Sequence, residues 1–275
     1  MTLLDELQNL MAKYRFRPNK KIAQHFVINE NFVKKLVQLA DLKKEDKVLE
    51  IGPGTGFLTK ALLEKCSVVA VEIDENLCEL LQQELHSKKL QLVCGDFLKA
   101  KLPSFNKVVA LPPYSHSAAI VYKLLEYDFE LAVLVFQKEF AEKLVAEPGF
   151  DEYSALSVLT QYAFESRLLE RIPPGFFFPK PRDESSIVVL NAKKRFGIVA
   201  DEGNFSFFAK TVFRFQNKNL KNALAKGRQF LLPKLKFSES EFKKRAEKMP
   251  FLQEKVNLLS VAEFVEAFNF LTGKN

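Results

Sequence analysis

The sequence predicts an α/β fold: an open, mostly parallel sheet with helices on both faces, followed by a small all-α domain. Three observations predict it. Short β-branched runs alternate with helical patterns over the first two-thirds of the chain. Four successive strands each end in a glycine turn, an acid or a proline turn, which is where open parallel sheets hold ligands. From KKRF (193–196) onward only helical periodicity remains.

Taken in order, Leu3, Leu4, Leu7, Leu10 and Met11 recur at helical spacing and predict an amphipathic N-terminal helix. KVLEI (47–51), SVVAVEI (67–73), LQLVCG (90–95), KVVAL (107–111) and ELAVLVF (130–136) are the predicted strands. Helices are expected over 30–41, 57–65, 75–86, 117–126 and 137–145. SSIVVLNA (185–192) is a further strand near the end of this domain. Helical patterns then cover 204–215, 217–227, 238–247 and 259–271. The domains are therefore expected at 1–195 and 196–275, with the boundary near 192–200.

The chain has 275 residues, 47% of them hydrophobic, enough for one sizeable core and a smaller second one. It holds 27 Phe and no Trp, so Phe is expected to fill the cores, with a few rings left for stacking. A net charge of +7 and a pI of about 9.1 favour a polyanionic partner, nucleic acid before an anionic membrane surface. The N-terminus carries Asp5 and Glu6 and makes a poor signal or transit peptide. The longest apolar runs, such as LAVLVF (131–136), are too short to span a bilayer. A cytoplasmic protein that does not enter membranes is expected. Cys66, Cys78 and Cys94 form no CxxC pair and read as small core fillers, against a disulfide framework or zinc site. His25, His86 and His116 are scattered, so no metal is expected.

LEIGPGTGFLT (49–59) follows a strand and opens a helix. Gly52, Gly54 and Gly56 allow a tight turn and close approach of a ligand to the backbone. Glu72, twenty residues past Gly52, ends the next strand and can accept hydrogen bonds from both hydroxyls of a ribose. Asp74 competes for that role but better suits the N-cap of the following helix. At the third strand end, Asp96 can accept from an exocyclic amine while the Phe97 N–H donates to a ring nitrogen, a pairing that reads adenine. GPGTG in place of GxGxxG points away from NAD, and no phosphate-cradling Lys follows the turn. S-adenosylmethionine (SAM) suits the pattern: its adenosine needs an acid for the ribose, and its methionine end lies over the glycine turn.

These motifs resemble those of the ribosomal RNA adenine dimethyltransferases, which modify adenines near the 3′ end of small-subunit rRNA. The archaeal and eukaryotic members look nearest. NKKIAQHFVINENFVKKLV (19–37), VLEIGPGTGFLT, VEID and GDF carry the resemblance, with FQKEFAEKLVAEPGFDEYSALSV (136–158), PPGFFFPKPRDESSIVV (173–189) and VFRFQNKNLKNAL (212–224). The resemblance implies a Rossmann-like SAM-dependent methyltransferase sheet with a small all-α, RNA-binding C-terminal domain. It implies SAM contacts at His25, Val27, Gly52, Gly54, Glu72, Asp96, Phe97 and Leu111. It implies a target base flipped out of its RNA context, with Tyr114 stacked on it and the turn at Pro112 aiming carbonyls at its amine. The partner is small-subunit rRNA or a pre-30S/40S particle, met by a monomer. Lys218, Lys221, Lys226 and Arg228 are the phosphate-contact candidates.

The family pattern at 111–114 is Asn-Leu-Pro-Tyr, and this chain has Leu111-Pro112-Pro113-Tyr114. An exocyclic amine is a poor nucleophile because its lone pair is delocalised into the ring. An amide oxygen and a backbone carbonyl that accept its two N–H bonds favour a pyramidal nitrogen aimed at the methyl group. Leu111 has no such acceptor, while the carbonyls of Leu111 and Pro112 remain, and Ser115, His116 and Ser117 lie just beyond. His116 replaces an aliphatic residue, Ser154-Ala155 replace Gly-Arg, and Gln216 stands where Arg is frequent. Three readings stay open: an adenine-N6 dimethyltransferase using backbone acceptors; an rRNA methyltransferase with another base, such as cytosine N4; and a non-catalytic small-subunit assembly factor.

Overall fold

The computed structural model describes residues 1–19, 24–192, 198–199 and 201–273. Residues 20–23 of the N-terminal motif, and the expected domain boundary at 195/196, lie outside the described residues. The chain divides into two compact units, Met1–Ala141 with Ser166–Ala192, and Glu142–Glu165 with Lys193–Asn275.

The first unit opens with α1 (Leu3–Lys13), started by a capping box in which Thr2 and Asp5 satisfy each other's backbone N–H. β1 (Phe26–Val27) precedes α2 (Glu30–Leu39), whose first turn is capped by the Asn29 side chain accepting from the Phe32 N–H (2.9 Å). Then come β2 (Lys47–Ile51), α3 (Phe57–Leu63), β3 (Ser67–Glu72), α4 (Glu75–Glu84), β4 (Leu90–Cys94) and β5 (Lys107–Ala110). After a 3-10 turn at Tyr114–His116 follow α5 (Ser117–Leu124), β6 (Leu131–Gln137) and α6 (Lys138–Val145). Beyond α7 (Ala155–Ala163), β7 (Phe164–Ile172), β8 (Phe177–Phe178) and β9 (Ser185–Ala192) complete the strands.

Seven strands form one sheet in the order β4-β3-β2-β5-β6-β9-β7. The pairs from β4 to β6 are parallel, and β9 runs antiparallel to β6. The order reverses between β2 and β5, which pair through Val48↔Lys107 and Leu49↔Val108. Such a switch point opens a crevice at the carboxyl ends of the strands. The central strands are buried on both faces (Val48, Leu49, Val68, Val69, Val108 and Val109 are all 0% exposed), as a sheet covered by helices on both sides requires. A separate two-stranded pairing joins β1 to β8, with Phe26 opposite Phe178 and Val27 opposite Phe177.

Beside the short β1 and β8, two elements and the cysteine pairing depart from the sequence reading. β7 was not expected: FESRLLERI carries four charged residues and sits at the sheet edge, where only one side is paired. α7 was also missed, because ALSVLTQYA is buried almost all round and lacks an amphipathic signature. The cysteine reading is corrected as well. Cys78 on α4 and Cys94 at the end of β4 form a disulfide, with Cα atoms 6.0 Å apart, whereas Cys66 is free and buried. The packing of α4 beside β4 joins them, so their spacing along the chain gave no sign of it.

The second unit contains α7, α8 (Glu202–Phe213), α9 (Leu220–Leu235), α10 (Glu239–Ala246) and α11 (Val261–Thr272). Its core is aromatic: Phe205, Phe208, Phe264 and Phe268 are buried, with ring centroids 5.4 Å apart for Phe205–Phe268 and 5.5 Å for Phe208–Phe268. α11 starts at a capping box between Ser260 and Glu263. Among the described residues, no helix is long and apolar enough to cross a membrane, and no three His, Cys, Asp or Glu side chains cluster as a metal site.

Candidate active site

The crevice at the switch point forms a cleft of about 160 Å³ in the first unit. It is lined by His25, Gly52, Gly54, Glu72, Asp96, Phe97, Leu111, Pro112 and Tyr114, each a residue singled out from the sequence. Val27 is not among the lining residues. Its side chain is buried in the core, which leaves only its backbone for ligand contact. Lys218, Lys221 and Arg228 belong to the second unit, where all three are exposed.

At the end of β2 the chain turns through Gly52 (φ 72°), Gly54 (φ 58°) and Gly56 (φ 80°), all in the left-handed region that favours glycine. A Cβ on Gly54 would lie 3.0 Å from the Phe26 ring, so only glycine lets β1 close over the turn. Glu72 ends β3 and is 4% exposed. Its Oε2 accepts the Gly54 N–H (3.0 Å) and its Oε1 accepts the Asp74 N–H (2.9 Å). The carboxylate thus pins the glycine turn to the neighbouring strand end. Burial pushes the Glu72 carboxyl above its ordinary value, against the pull of those N–H bonds. Asp74 caps α4, accepting from the Asn76 N–H (3.0 Å), and also accepts from Gln24 Nε2 (3.0 Å).

At the third strand end, Asp96 Oδ1 accepts the Leu98 N–H (2.9 Å), while Oδ2 lies 3.6 Å from the exposed Lys99 ammonium. Ile51, Ile73, Leu77, Phe97 and Leu98 supply apolar walls beside these acids. The arrangement can receive a nucleoside: flat apolar faces, one buried acid beside a glycine turn, and a second acid one strand further.

At the fourth strand end, Leu111 follows β5, partly buried against the core. Pro113 enters the 3-10 turn in extended conformation, and its carbonyl accepts the His116 N–H (3.2 Å). Tyr114 O accepts from Ser117 Oγ (3.0 Å), so Ser117 is committed to the turn. Ser115 Oγ and His116 Nδ1 bond to each other (2.8 Å). Among the described residues, no hydrogen bond falls on the carbonyl of Leu111 or of Pro112. The Tyr114 ring stacks against His25 at 5.7 Å, and its hydroxyl bonds to Ser185 Oγ (2.6 Å). His25 Nδ1 bonds in turn to Pro179 O (2.6 Å).

Ser185, Pro179 and Gln24 escaped the sequence reading, because each acts by holding a neighbour in place. PPGFFFPKPRDESS was recognised only as a landmark. Its pairing with the QHFV segment through β1 and β8 is what makes it one side of the cleft.

One buried group affects stability. Glu50 is 1% exposed, and burial pushes its carboxyl up to about 8, with the charge of Glu72 adding to the shift. The folded state then keeps a proton that the unfolded chain releases above its ordinary value of 4.5, so stability falls as pH rises from about 4.5 to about 8. Glu50→Gln is expected to melt higher than the wild type near pH 8.5 and level with it near pH 4.5. Calorimetric melts across that range check this; a gap that does not change with pH refutes the assignment.

The sequence matches the family model described as ribosomal RNA adenine dimethylase over residues 15–271. The chain belongs to that family. It is 36% identical over 268 residues to a probable ribosomal RNA small subunit methyltransferase A of Thermococcus sibiricus, covering 97% of each chain. It is 40% identical over 228 residues to the protein of that name in Methanopyrus kandleri, covering 82% of each. A dimethyladenosine transferase from Plasmodium falciparum has a similar structure, with a TM-score of 0.77 at 25% identity, covering 91% of this chain and 98% of that one. The 23S rRNA methyltransferase ErmE shares the fold, with a TM-score of 0.63 at 24% identity, over 90% and 99% of the two chains. Membership of the dimethylase family makes the chain a SAM-dependent rRNA methyltransferase with a Rossmann-like sheet. The cytosine and non-catalytic alternatives gain no support from these relatives.

Proposed function

We propose that this chain methylates the exocyclic N6 amine of adenine in small-subunit rRNA, using backbone carbonyls where its family pattern has an Asn side chain. The observation that carries this reading is one cleft in which a nucleoside-shaped end, Glu72 with Asp96, meets the Leu111–Tyr114 turn.

The residues suit SAM on the structure's own terms. Gly95, which lines the cleft at the third strand end, faces open space that a Cβ would enter. Glu72 and Asp96 retain lone pairs beyond those used by backbone N–H groups. When bound, SAM supplies an electrophilic methyl group. Glu72 would accept from the ribose hydroxyls, Asp96 and the Phe97 N–H would read the adenine, and His25 would close the side of the cleft.

On the substrate side, the Pro112 carbonyl accepts one N–H of the target amine, and the Leu111 carbonyl stands in, less well aimed, for the amide oxygen of the family pattern at the other. Tyr114 offers its ring to the flipped base. Its orientation is fixed by Ser185 at the hydroxyl and by His25 at the ring face. The remaining catalytic contribution is alignment of the two reactants. The partner is small-subunit rRNA, free or in its assembling particle, and the net charge of +7 supports a polyanionic partner.

Purified small subunits lacking the modification, labelled SAM and the protein form the test. Digestion of the RNA is expected to yield labelled dimethyladenosine. Its absence, under conditions where an Asn-containing relative is active, overturns the reading. Labelled methylcytidine alone would move the target to another base.

A further inference from the structure

We infer that the outer face of α8 and α9 is a stacking platform for unpaired RNA, separate from the cleft of the first unit. The inference rests on the proposed action on rRNA and names how the second unit holds it.

The sequence of this segment is unusual in charge. Between Glu202 and Glu239 there is no Asp or Glu, while eight residues are Lys or Arg. The same stretch holds seven Phe. Packing accounts for Phe205, Phe208 and Phe213, which are buried. It does not account for Phe207, Phe215 and Phe230, which are left partly exposed, while the seventh, Phe237, lies against Arg245. Phe230 is 36% exposed.

These three rings form a ladder with cations across the α8–α9 seam. Lys234 lies 6.0 Å from the Phe207 centroid, Arg214 lies 4.7 Å from Phe230, and Lys226 lies 5.9 Å from Phe215. Helical periodicity explains the alignment. Lys226, Phe230 and Lys234 stand four residues apart on one stripe of α9, about 6 Å per step. Phe207 and Arg214, seven apart, share one face of α8 and its C-cap. The two helices pack against each other in opposite senses, so Phe207 meets Lys234 while Phe215 meets Lys226. Glu239 is bound to Arg228 (2.7 Å), two residues from Lys226 and thus on another side of α9.

Alternating rings and cations on a segment without acids are what a single strand requires. Rings stack on bases whatever their sequence, and cations follow the phosphates. A guanidinium beside a ring extends the flat surface available to a base. Exposed cation–ring contacts are weak, so a base can displace a lysine tip at little cost. A paired duplex presents phosphates but hides its base faces, so it uses the cations and not the rings. An acidic protein would likewise need only the charge.

The test uses the full chain and two probes, a labelled oligouridylate about twelve nucleotides long and an RNA hairpin with a fully paired stem of similar length. Phe230→Ala is expected to weaken oligouridylate binding about 5- to 150-fold and leave hairpin binding nearly unchanged. Phe230→Leu, which keeps the apolar bulk, is expected to behave like Phe230→Ala. Because the chain has no Trp, Phe230→Trp adds a single fluorophore whose emission the oligouridylate quenches on stacking. Replacing Lys226 and Lys234 by Gln lowers the salt dependence for the oligouridylate by about 0.7 for each cation removed from the phosphates.

The inference is overturned if oligouridylate does not bind, if Phe230→Ala binds it like the wild type, or if oligouridylate and hairpin lose affinity equally. Circular-dichroism melts that match the wild type show that the helical unit is intact in each variant. Methyl transfer by the wild type without oligouridylate binding removes this face alone. Ring-dependent binding without methyl transfer removes the proposed reaction alone.

Discussion

Leu111→Asn is expected to raise the single-turnover rate of methyl transfer about 5- to 150-fold while leaving SAM affinity unchanged. The range follows from one hydrogen bond to a desolvated group, about 1–3 kcal/mol, converted to rate at about 1.4 kcal/mol per tenfold. Leu111 lines the cleft between β5 and the proline turn, so an amide there faces the space that the target amine must enter. Single-turnover conditions, with enzyme in excess, isolate the chemical step from product release. Leu111→Ala separates space from chemistry: it opens more room than Asn does without adding an acceptor, and is expected to show no gain. Equal gains for Ala and Asn would mean that the Leu side chain merely obstructs, and the acceptor argument would fail. No gain for Asn would mean that the backbone carbonyls already hold both N–H bonds.

Glu72→Ala is expected to weaken SAM binding by about 100- to 10,000-fold. Two hydrogen bonds to a charged acceptor, at roughly 1.5–3 kcal/mol each, set that range. The side chain also holds the Gly54 and Asp74 N–H groups, so its loss frees the turn that the cofactor must lie against. Titration calorimetry reads the affinity, and a loss below about tenfold would show that the acid serves the turn and not the ligand. There is a pH consequence. Burial raises the Glu72 carboxyl, and protonation removes an acceptor, so SAM affinity is expected to fall as pH drops through that raised value.

The sheet was legible because each central strand is a short β-branched run bounded by a turn residue, and the four strand ends carried chemistry in the order the crevice uses them. Asp74 as a helix cap and Glu72 as the buried acid were separable from sequence, since one begins a helical pattern and the other ends an apolar run. Elements whose residues contradict their environment were less legible. β7 is charged like a solvent-facing helix yet pairs at an edge, and α7 is apolar all round. Long-range partners were not legible either. Nothing local links Tyr114 to Ser185, His25 to Pro179, or Cys78 to Cys94, since each pair is made by the packing of the sheet.

The pairing of β1 with β8 has a consequence for synthesis of the protein. One lip of the cofactor cleft comes from Gln24–Phe26 near the start of the chain, and the strand that pins it is Phe177–Phe178. A chain emerging from the ribosome can build β2 to β5, with the glycine turn and both acids, long before that strand exists. Until it does, Phe26 has no strand to hold it over Gly54, and Tyr114 lacks its Ser185 anchor. The cleft is therefore complete only after about two-thirds of the chain has been made.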